Sequence, residues 1–360
     1  MSRILFCCIN GNGLGHVTRI LALIRQVRKI DSCHEILVLT SSEFTHILAK
    51  ENIASVKVPS PELHRKNKKL PVAYLTQSIA SQVVATFRPN AVVIDSTPSG
   101  LCGEYMSFLN IIPKRAFLFG MFPNFIKTPQ YKSSLNFFGK IFMPYTKSER
   151  EAVKIKIDNR FEWVGHFLIR SRKEMLSRED ARKKMRLSMN ETIGFISLGG
   201  GGNPENERIL NWALSTLTKQ TSVKIVCPIQ PLARDPSLIL DNQQCVPISH
   251  FPLIEYYRAF DFAISSGGMN AIAELTHAAL PCALVPLGHP STDQEFNINL
   301  FARQGLGIPV KAFDTKALES AIETLLNKKK REQMQQLQNK WTGGLGAEKA
   351  AKSLIEFINS

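Results

Sequence analysis

The chain has 360 residues, 44% hydrophobic and 21% charged, which is the profile of an ordinary globular protein and enough for two separate cores. A net charge of +15 favours anionic partners such as nucleotides, nucleic acid or an acidic membrane surface, without choosing among them. Seven cysteines with no C-x-x-C pair argue against a disulfide framework or a zinc site, and no apolar run approaches the roughly 20 residues of a membrane span.

Buried free thiols are the simpler account of the cysteines. Residues 4–9 form too short an apolar run for a signal-peptide core. The expected location is the cytoplasm, with peripheral attachment to the inner face of a membrane as the alternative.

In chain order, residues 3–9 read as a buried strand, and 17–29 carry apolar side chains at helical spacing. Strand, helix and strand follow at 35–40, 43–50 and 55–58. A helix is expected at 72–87, a strand at 91–95, a helix at 101–109 and a strand at 115–119. Strands separated by helices imply right-handed crossovers and a parallel sheet covered on both faces. The rhythm breaks at 120–147, which is rich in aromatics and proline. Residues 161–167 are extended, and Ser177 caps a helix to 186 with Asp180 at the capping-box position.

The alternation restarts at 192–198. Asn203 can cap a helix with Pro204 at its first position. Strands at 223–227, 262–264 and 282–286 alternate with helical stretches at 253–260 and 270–277. The Lys328–Arg331 run sits on a polar, helix-like segment and reads as a solvated face. Glycines at 343–346 precede a last amphipathic helix, 347–358. The pattern divides into an N-terminal domain at 1–150, a linker at 151–190, a C-terminal domain at 191–342 and a final segment, 343–360, expected to return to the first domain.

In open α/β sheets ligands bind beyond the carboxyl ends of the strands, so the loops there carry the candidates. The first is Gly11-Asn12-Gly13-Leu14-Gly15-His16. It departs from a dinucleotide fingerprint because His16 replaces the third glycine and no acidic residue follows the second strand. It is no P-loop, since no Lys-Ser or Lys-Thr follows. Gly13 and Gly15 let a substrate approach the backbone. A histidine at a helix N-terminus meets the positive end of the dipole, which favours the neutral imidazole that a general base requires. The alternative is a histidine that only packs or caps. Asp95 ends an apolar strand in the same half. It either orients His16 and stabilises the imidazolium, or caps a helix after Pro98.

The second loop, Gly199-Gly200-Gly201-Gly202-Asn203, offers backbone N–H groups to a phosphate, or is simply a tight turn. The third runs Ser265-Ser266-Gly267-Gly268-Met269-Asn270, with Glu274 one helical turn beyond Asn270. Leu280-Pro281, Val285-Pro286 and Asp293-Gln294-Glu295-Phe296-Asn297 follow. A carboxylate at 274 can accept two ribose hydroxyls.

This order resembles the donor-binding signature of the GT-B glycosyltransferases, and is similar to the UDP-glycosyltransferases and the family 28 lipid II GlcNAc transferases. The resemblance implies an α/β protein with two Rossmann-like doubly wound domains facing across a cleft. It implies an inverting transferase that moves a sugar from a nucleotide diphosphate sugar, with UDP the expected nucleotide, to a hydroxyl acceptor. Gly200, Gly201, Ser266, Gly267, Gly268, Met269 and Asn270 would hold the diphosphate, Glu274 the ribose, and Asp293 and Gln294 the sugar hydroxyls. His16 would deprotonate the acceptor with Asp95 behind it. No Asp-x-Asp motif occurs, so no metal or other cofactor is expected, and helix dipoles would stabilise the leaving group.

Residues 117–145 hold nine aromatics interleaved with Lys127, Lys132 and Lys140. Phe137, Phe138, Ile141 and Phe142 on one face of a short helix would suit a membrane interface and a lipid-linked or glycolipid acceptor. The competing reading, an aromatic core, is slightly preferred. Nucleic acid is not an expected partner, since no nucleic-acid motif is present. Two other functions fit the same residues. Gly13-Leu14-Gly15-His16-Val17-Thr18-Arg19 fits the Gly-x-Gly-His-x-x-Arg loop of some nucleotide-sugar hydrolases, with water as acceptor. A non-catalytic nucleotide-sugar-binding subunit would bind the donor without turnover.

Overall fold

The computed structural model describes residues 1–9, 14–60, 70–120, 128–149, 157–199, 203–229, 239, 242–288 and 293–360. Gly13, Gly200 and Gly201 lie outside the described residues. The chain forms two compact units, residues 1–169 with 345–360, and residues 170–344.

The first unit holds a seven-stranded parallel sheet. Its strands are β1 (Arg3–Cys8), β2 (Glu35–Thr40), β3 (Ala54–Lys57), β4 (Ala91–Ser96), β5 (Lys114–Phe119), β6 (Lys140–Met143) and β7 (Phe161–Trp163). They lie in the order β3-β2-β1-β4-β5-β6-β7. The chain leaves β1 toward one edge and later returns to β1's other side with β4, which pairs Cys7 with Ile94. The strand order therefore reverses between β1 and β4, the usual ligand position in such sheets. The helix Gly15–Ile30 covers the sheet with Val17, Ile20, Leu21, Leu23, Ile24 and Val27 buried, at the spacing the sequence shows.

The second unit repeats the plan with β8 (Ile193–Ser197), β9 (Lys224–Pro228), β10 (Cys245–Ile248), β11 (Phe262–Ser266), β12 (Cys282–Val285) and β13 (Ile308–Pro309). All pairings are parallel, in the order β10-β9-β8-β11-β12-β13, so the reversal falls between β8 and β11. Its core joins Ile196, Leu198, Ile225, Phe262, Ile264 and Val285 to the helices Pro204–Gln220 and Thr315–Leu326. Asn203 caps the first of these, its side chain accepting from Glu205 N at 3.0 Å with Pro204 following.

The structure corrects two expectations and gives the course of two further segments. Residues 151–190 are not a linker: β7 is an edge strand of the first sheet, and the helix Arg178–Lys184 packs within the second unit against the 3₁₀ segment Leu253–Ala259. No helix forms at 101–109. Gly100 and Gly103 adopt φ of 86° and 73°, and the buried Glu104 carboxylate accepts from Leu101 N and Cys102 N, drawing the backbone into turns. The final segment begins with the 3₁₀ turn Gly343–Leu345, and its helix is Gly346–Asn359, which belongs to the first unit and packs on Gly15–Ile30. Gly346 N donates to His166 O at 2.9 Å, and a Cβ there would lie 2.0 Å from Gly165 O, so only glycine permits this approach.

The other segment is residues 117–145, where the preferred reading was an aromatic core. Phe117, Phe119, Tyr131, Phe138, Phe142 and Tyr145 are buried. Lys140–Met143 is a strand paired on both sides, because a run of apolar residues between two parallel strands is stabilised by burial on both faces. The described part of the segment is an aromatic core and not a membrane-interface helix; Phe122 and Phe125 lie outside the described residues. No helix among the described residues is long and apolar enough to cross a membrane.

Candidate functional site

In the first unit the helix Gly15–Ile30 holds Gly15 and His16 in its first turn. Asp95 stands at the end of the neighbouring strand β4. His16 Nδ1 lies 2.7 Å from Asp95 Oδ2. The carboxylate side chain is fully buried, and the imidazole is 27% exposed. Arg19, one turn along the same helix, donates through its guanidinium to Asp95 Oδ1. The same nitrogen lies 3.5 Å from His16 Nδ1.

Burial alone would raise the Asp95 carboxyl. The charges of Arg19 and then His16, with their hydrogen bonds, outweigh it and hold the carboxyl below its ordinary value. An ionised carboxylate on Nδ1 fixes that nitrogen as the proton donor and directs Nε2 away from the pair. The capping alternative for Asp95 lapses, since no helix follows Pro98. Beneath the site Tyr105 Oη receives the N–H of Ile9 at 3.2 Å, anchoring the end of the segment that leads into the glycine loop.

In the second unit Ser266 closes β11, Gly267 follows, and Gly268 precedes the helix Met269–His277 without any side-chain cap. Gly267 is required by packing: a Cβ there would meet Gln294 Cβ at 2.8 Å and Gln294 O at 2.9 Å. A Cβ at Gly268 would meet nothing nearer than Ser266 Oγ at 3.8 Å. The protein itself therefore does not demand glycine at 268, and the open space stands over a helix N-terminus, where anions bind.

Neutral amides hold this loop in place. Gln294 Oε1 accepts from Gly267 N at 3.0 Å and Leu287 N at 2.9 Å, bridging the loops after β11 and β12. Asn297 Nδ2 donates to Gly267 O at 3.1 Å. Asp293 is exposed and caps the helix Gln294–Ala302, its Oδ1 accepting from Phe296 N at 2.9 Å. Glu274 lies on the same helix as Asn270 and Met269, all three half-buried. Desolvation pushes its carboxyl up to about 8, with Arg170 opposing.

The structure thus brings His16 and Asp95 together, and sets Ser266, Gly267, Gly268, Met269, Asn270 and Glu274 on one strand–turn–helix unit. It gives the Gln294 oxygen to backbone N–H groups where a sugar contact was expected. One residue escaped the sequence reading of the site: Arg19 was visible only as the last residue of Gly-x-Gly-His-x-x-Arg, three positions after His16. Asn297 was part of the signature, but its bond to the Gly267 carbonyl was not foreseen.

Residues 216–356 match the model of the Glycosyltransferase family 28 C-terminal domain. A curated relative from Oceanobacillus iheyensis, a UDP-N-acetylglucosamine–N-acetylmuramyl-(pentapeptide) pyrophosphoryl-undecaprenol N-acetylglucosamine transferase, is 26% identical over 188 residues. That match covers 51% of each chain, so this protein spans about half the relative's length in the match. Among solved structures, the calicheamicin glycosyltransferase CalG4 superposes with a TM-score of 0.68 at 16% identity, covering 100% of this chain and 98% of that one. MurG of Acinetobacter baumannii superposes at 0.61 and 14% identity, covering 99% and 100%. The whole chain accordingly has the GT-B architecture of two Rossmann-like units, and the family 28 similarity lies in residues 216–356.

Proposed function

We propose that the protein is an inverting glycosyltransferase that moves a sugar from a nucleotide diphosphate sugar, with UDP as the nucleotide, to a hydroxyl acceptor. The observation that carries the reading is the 2.7 Å contact of His16 Nδ1 with the buried Asp95 carboxylate. With Nδ1–H donating to Asp95, Nε2 takes the acceptor hydroxyl proton as the acceptor oxygen bonds to the anomeric carbon. The nucleotide diphosphate leaves with the electron pair of the broken C–O bond. A single displacement of this kind inverts the anomeric centre.

The second unit supplies the donor site in this reading. The Gly267-Gly268 turn and the N-terminus of Met269–His277, with Asn270, receive the diphosphate without a metal. Glu274 holds the ribose hydroxyls. Asp293 and the amide nitrogen of Gln294 face the sugar. The relative from Oceanobacillus iheyensis is named for a pyrophosphoryl-undecaprenol substrate, which makes a lipid-linked hydroxyl compound the first acceptor to try.

The test is nucleotide diphosphate release from a panel of nucleotide sugars, with and without a lipid extract and with and without EDTA. Release that needs the extract, survives EDTA and is lost in His16→Ala supports the transferase. One structural feature favours a second reading. Arg19 completes the Gly-x-Gly-His-x-x-Arg loop that some nucleotide-sugar hydrolases share, and it is ion-paired to Asp95. Equal His16-dependent release in buffer alone would select that hydrolase. Donor binding with no release would leave a binding subunit.

A further inference from the structure

The Asp95 carboxylate is fully buried and touches two cationic side chains, His16 on one oxygen and Arg19 on the other. A buried carboxylate needs a compensating positive charge. Were His16 the only partner, all of that charge would have to come from the imidazole. A histidine already carrying its proton cannot accept one, so the base would be spent before the acceptor arrived.

We infer that Arg19 is a positioning residue that neutralises Asp95 permanently, so that Asp95 can orient His16 while His16 stays a neutral base. A guanidinium holds its charge at any working pH, so it can act as this fixed counter-ion. Its nitrogen also sits 3.5 Å from His16 Nδ1, where a second cation on the imidazole would be repelled. Arg19 therefore disfavours the protonated ring at rest, yet leaves Asp95 placed to stabilise it in passing. The inference rests on the proposed reading of His16 as the base.

The groups around the cluster fit this role. From the end of β1, the Cys8 thiol is buried and pushed up to about 12, chiefly by desolvation. Tyr131 and the Tyr145 phenol, both buried and close enough to feel the Arg19 charge, are pushed well above the ordinary phenol value by desolvation. None of the three competes with Asp95 for the guanidinium as an anion near neutral pH.

The test is ¹⁵N-histidine NMR of the full chain at neutral pH, on the wild type, Arg19→Gln and Arg19→Lys. The wild type should show a neutral His16 with its proton on Nδ1. Arg19→Gln should show an imidazolium, and Arg19→Lys should restore the neutral ring. In turnover, Arg19→Gln should lower kcat by about tenfold or more, with donor KM within about twofold, and recover as pH is raised. A wild-type His16 that is already imidazolium, or an Arg19→Gln protein with a dispersed amide spectrum and an unchanged neutral His16, overturns the inference. The NMR reads the ring whether or not sugar is transferred. A wild type inactive on every donor would sink the proposed function and leave this result standing.

Discussion

The two units share one sheet plan and solve different problems at the same place in it. At the β1/β4 reversal the first unit gathers charged and titratable side chains around a buried carboxylate. At the β8/β11 reversal the second unit offers a glycine turn, a helix N-terminus and neutral amides that brace them. Proton transfer needs a group that changes charge, which only side chains supply. Binding a diphosphate needs fixed positive potential at close range, which backbone supplies without the cost of burying a cation.

The comparison breaks most completely at Asp95. Asp95→Asn removes the anion that both His16 and Arg19 address, and leaves a guanidinium facing an amide. Turnover should fall on the order of 10³-fold, and a loss of about 3 kcal/mol of stability should appear in chemical denaturation. Nucleotide binding should be untouched, since the proposed donor loop lies in the other unit.

The adjacent glycines of the second unit sharpen it next. Gly267→Ala drives a Cβ to within 2.8 Å of Gln294 Cβ and should cost about 1–3 kcal/mol in thermal melting. Gly268→Ala meets no close atom and should melt like the wild type, but with weaker donor binding in calorimetry. Equal melting losses at both positions would contradict the assignment of 268 to the ligand. Gln294→Leu orphans the N–H groups of Gly267 and Leu287, and about 1–3 kcal/mol of stability should be lost in the same melts.

The smallest effects come from pH, and their signs follow the direction of each shift. Asp95 and Glu149 are held below their ordinary values in spite of burial, Asp95 by Arg19 and His16, and Glu149 by its hydrogen bonds and charge contact with His166. Their stabilisation is present above the unfolded carboxylate values and is lost as pH falls through the folded ones. Glu274 is raised from 4.5 to about 8 by desolvation, so its contribution is full below 4.5 and is lost as pH rises through 8. His277, lowered from 6.5 to about 4 by desolvation and by Arg172 and Arg258, contributes above 6.5 and loses that as pH falls toward 4. Denaturation of Glu274→Gln from pH 5 to 8 should therefore show a flatter decline than the wild type. An unchanged slope would place the Glu274 carboxyl near its ordinary value.

The parts legible in the sequence were those where one local rule acts alone. The helix Gly15–Ile30 follows from its apolar spacing, and Asn203-Pro204 marks a helix start that the structure places at the same residue. The His16–Asp95 contact could be anticipated because His16 opens the helix that follows β1 and Asp95 lies at the end of β4, the strand beside it. What stayed hidden depended on partners distant in sequence. Lys140–Met143 has aromatic residues that a helix would also accept, and only pairing with β5 and β7 decides for strand. The 101–109 segment has helical spacing, but the buried Glu104 carboxylate captures the N–H groups that a helix would leave at its start. The bracing role of the Gln294 oxygen stayed hidden because its two backbone donors, Gly267 and Leu287, come from separate loops.

The most direct test is to measure donor binding and donor turnover on the same His16→Ala protein. UDP-sugar affinity by calorimetry is set beside nucleotide diphosphate release at saturating donor. A base in the first unit and a donor site in the second predict affinity within about twofold of wild type and release reduced by about 10²-fold or more. Release that persists at the wild-type rate in His16→Ala would contradict the account.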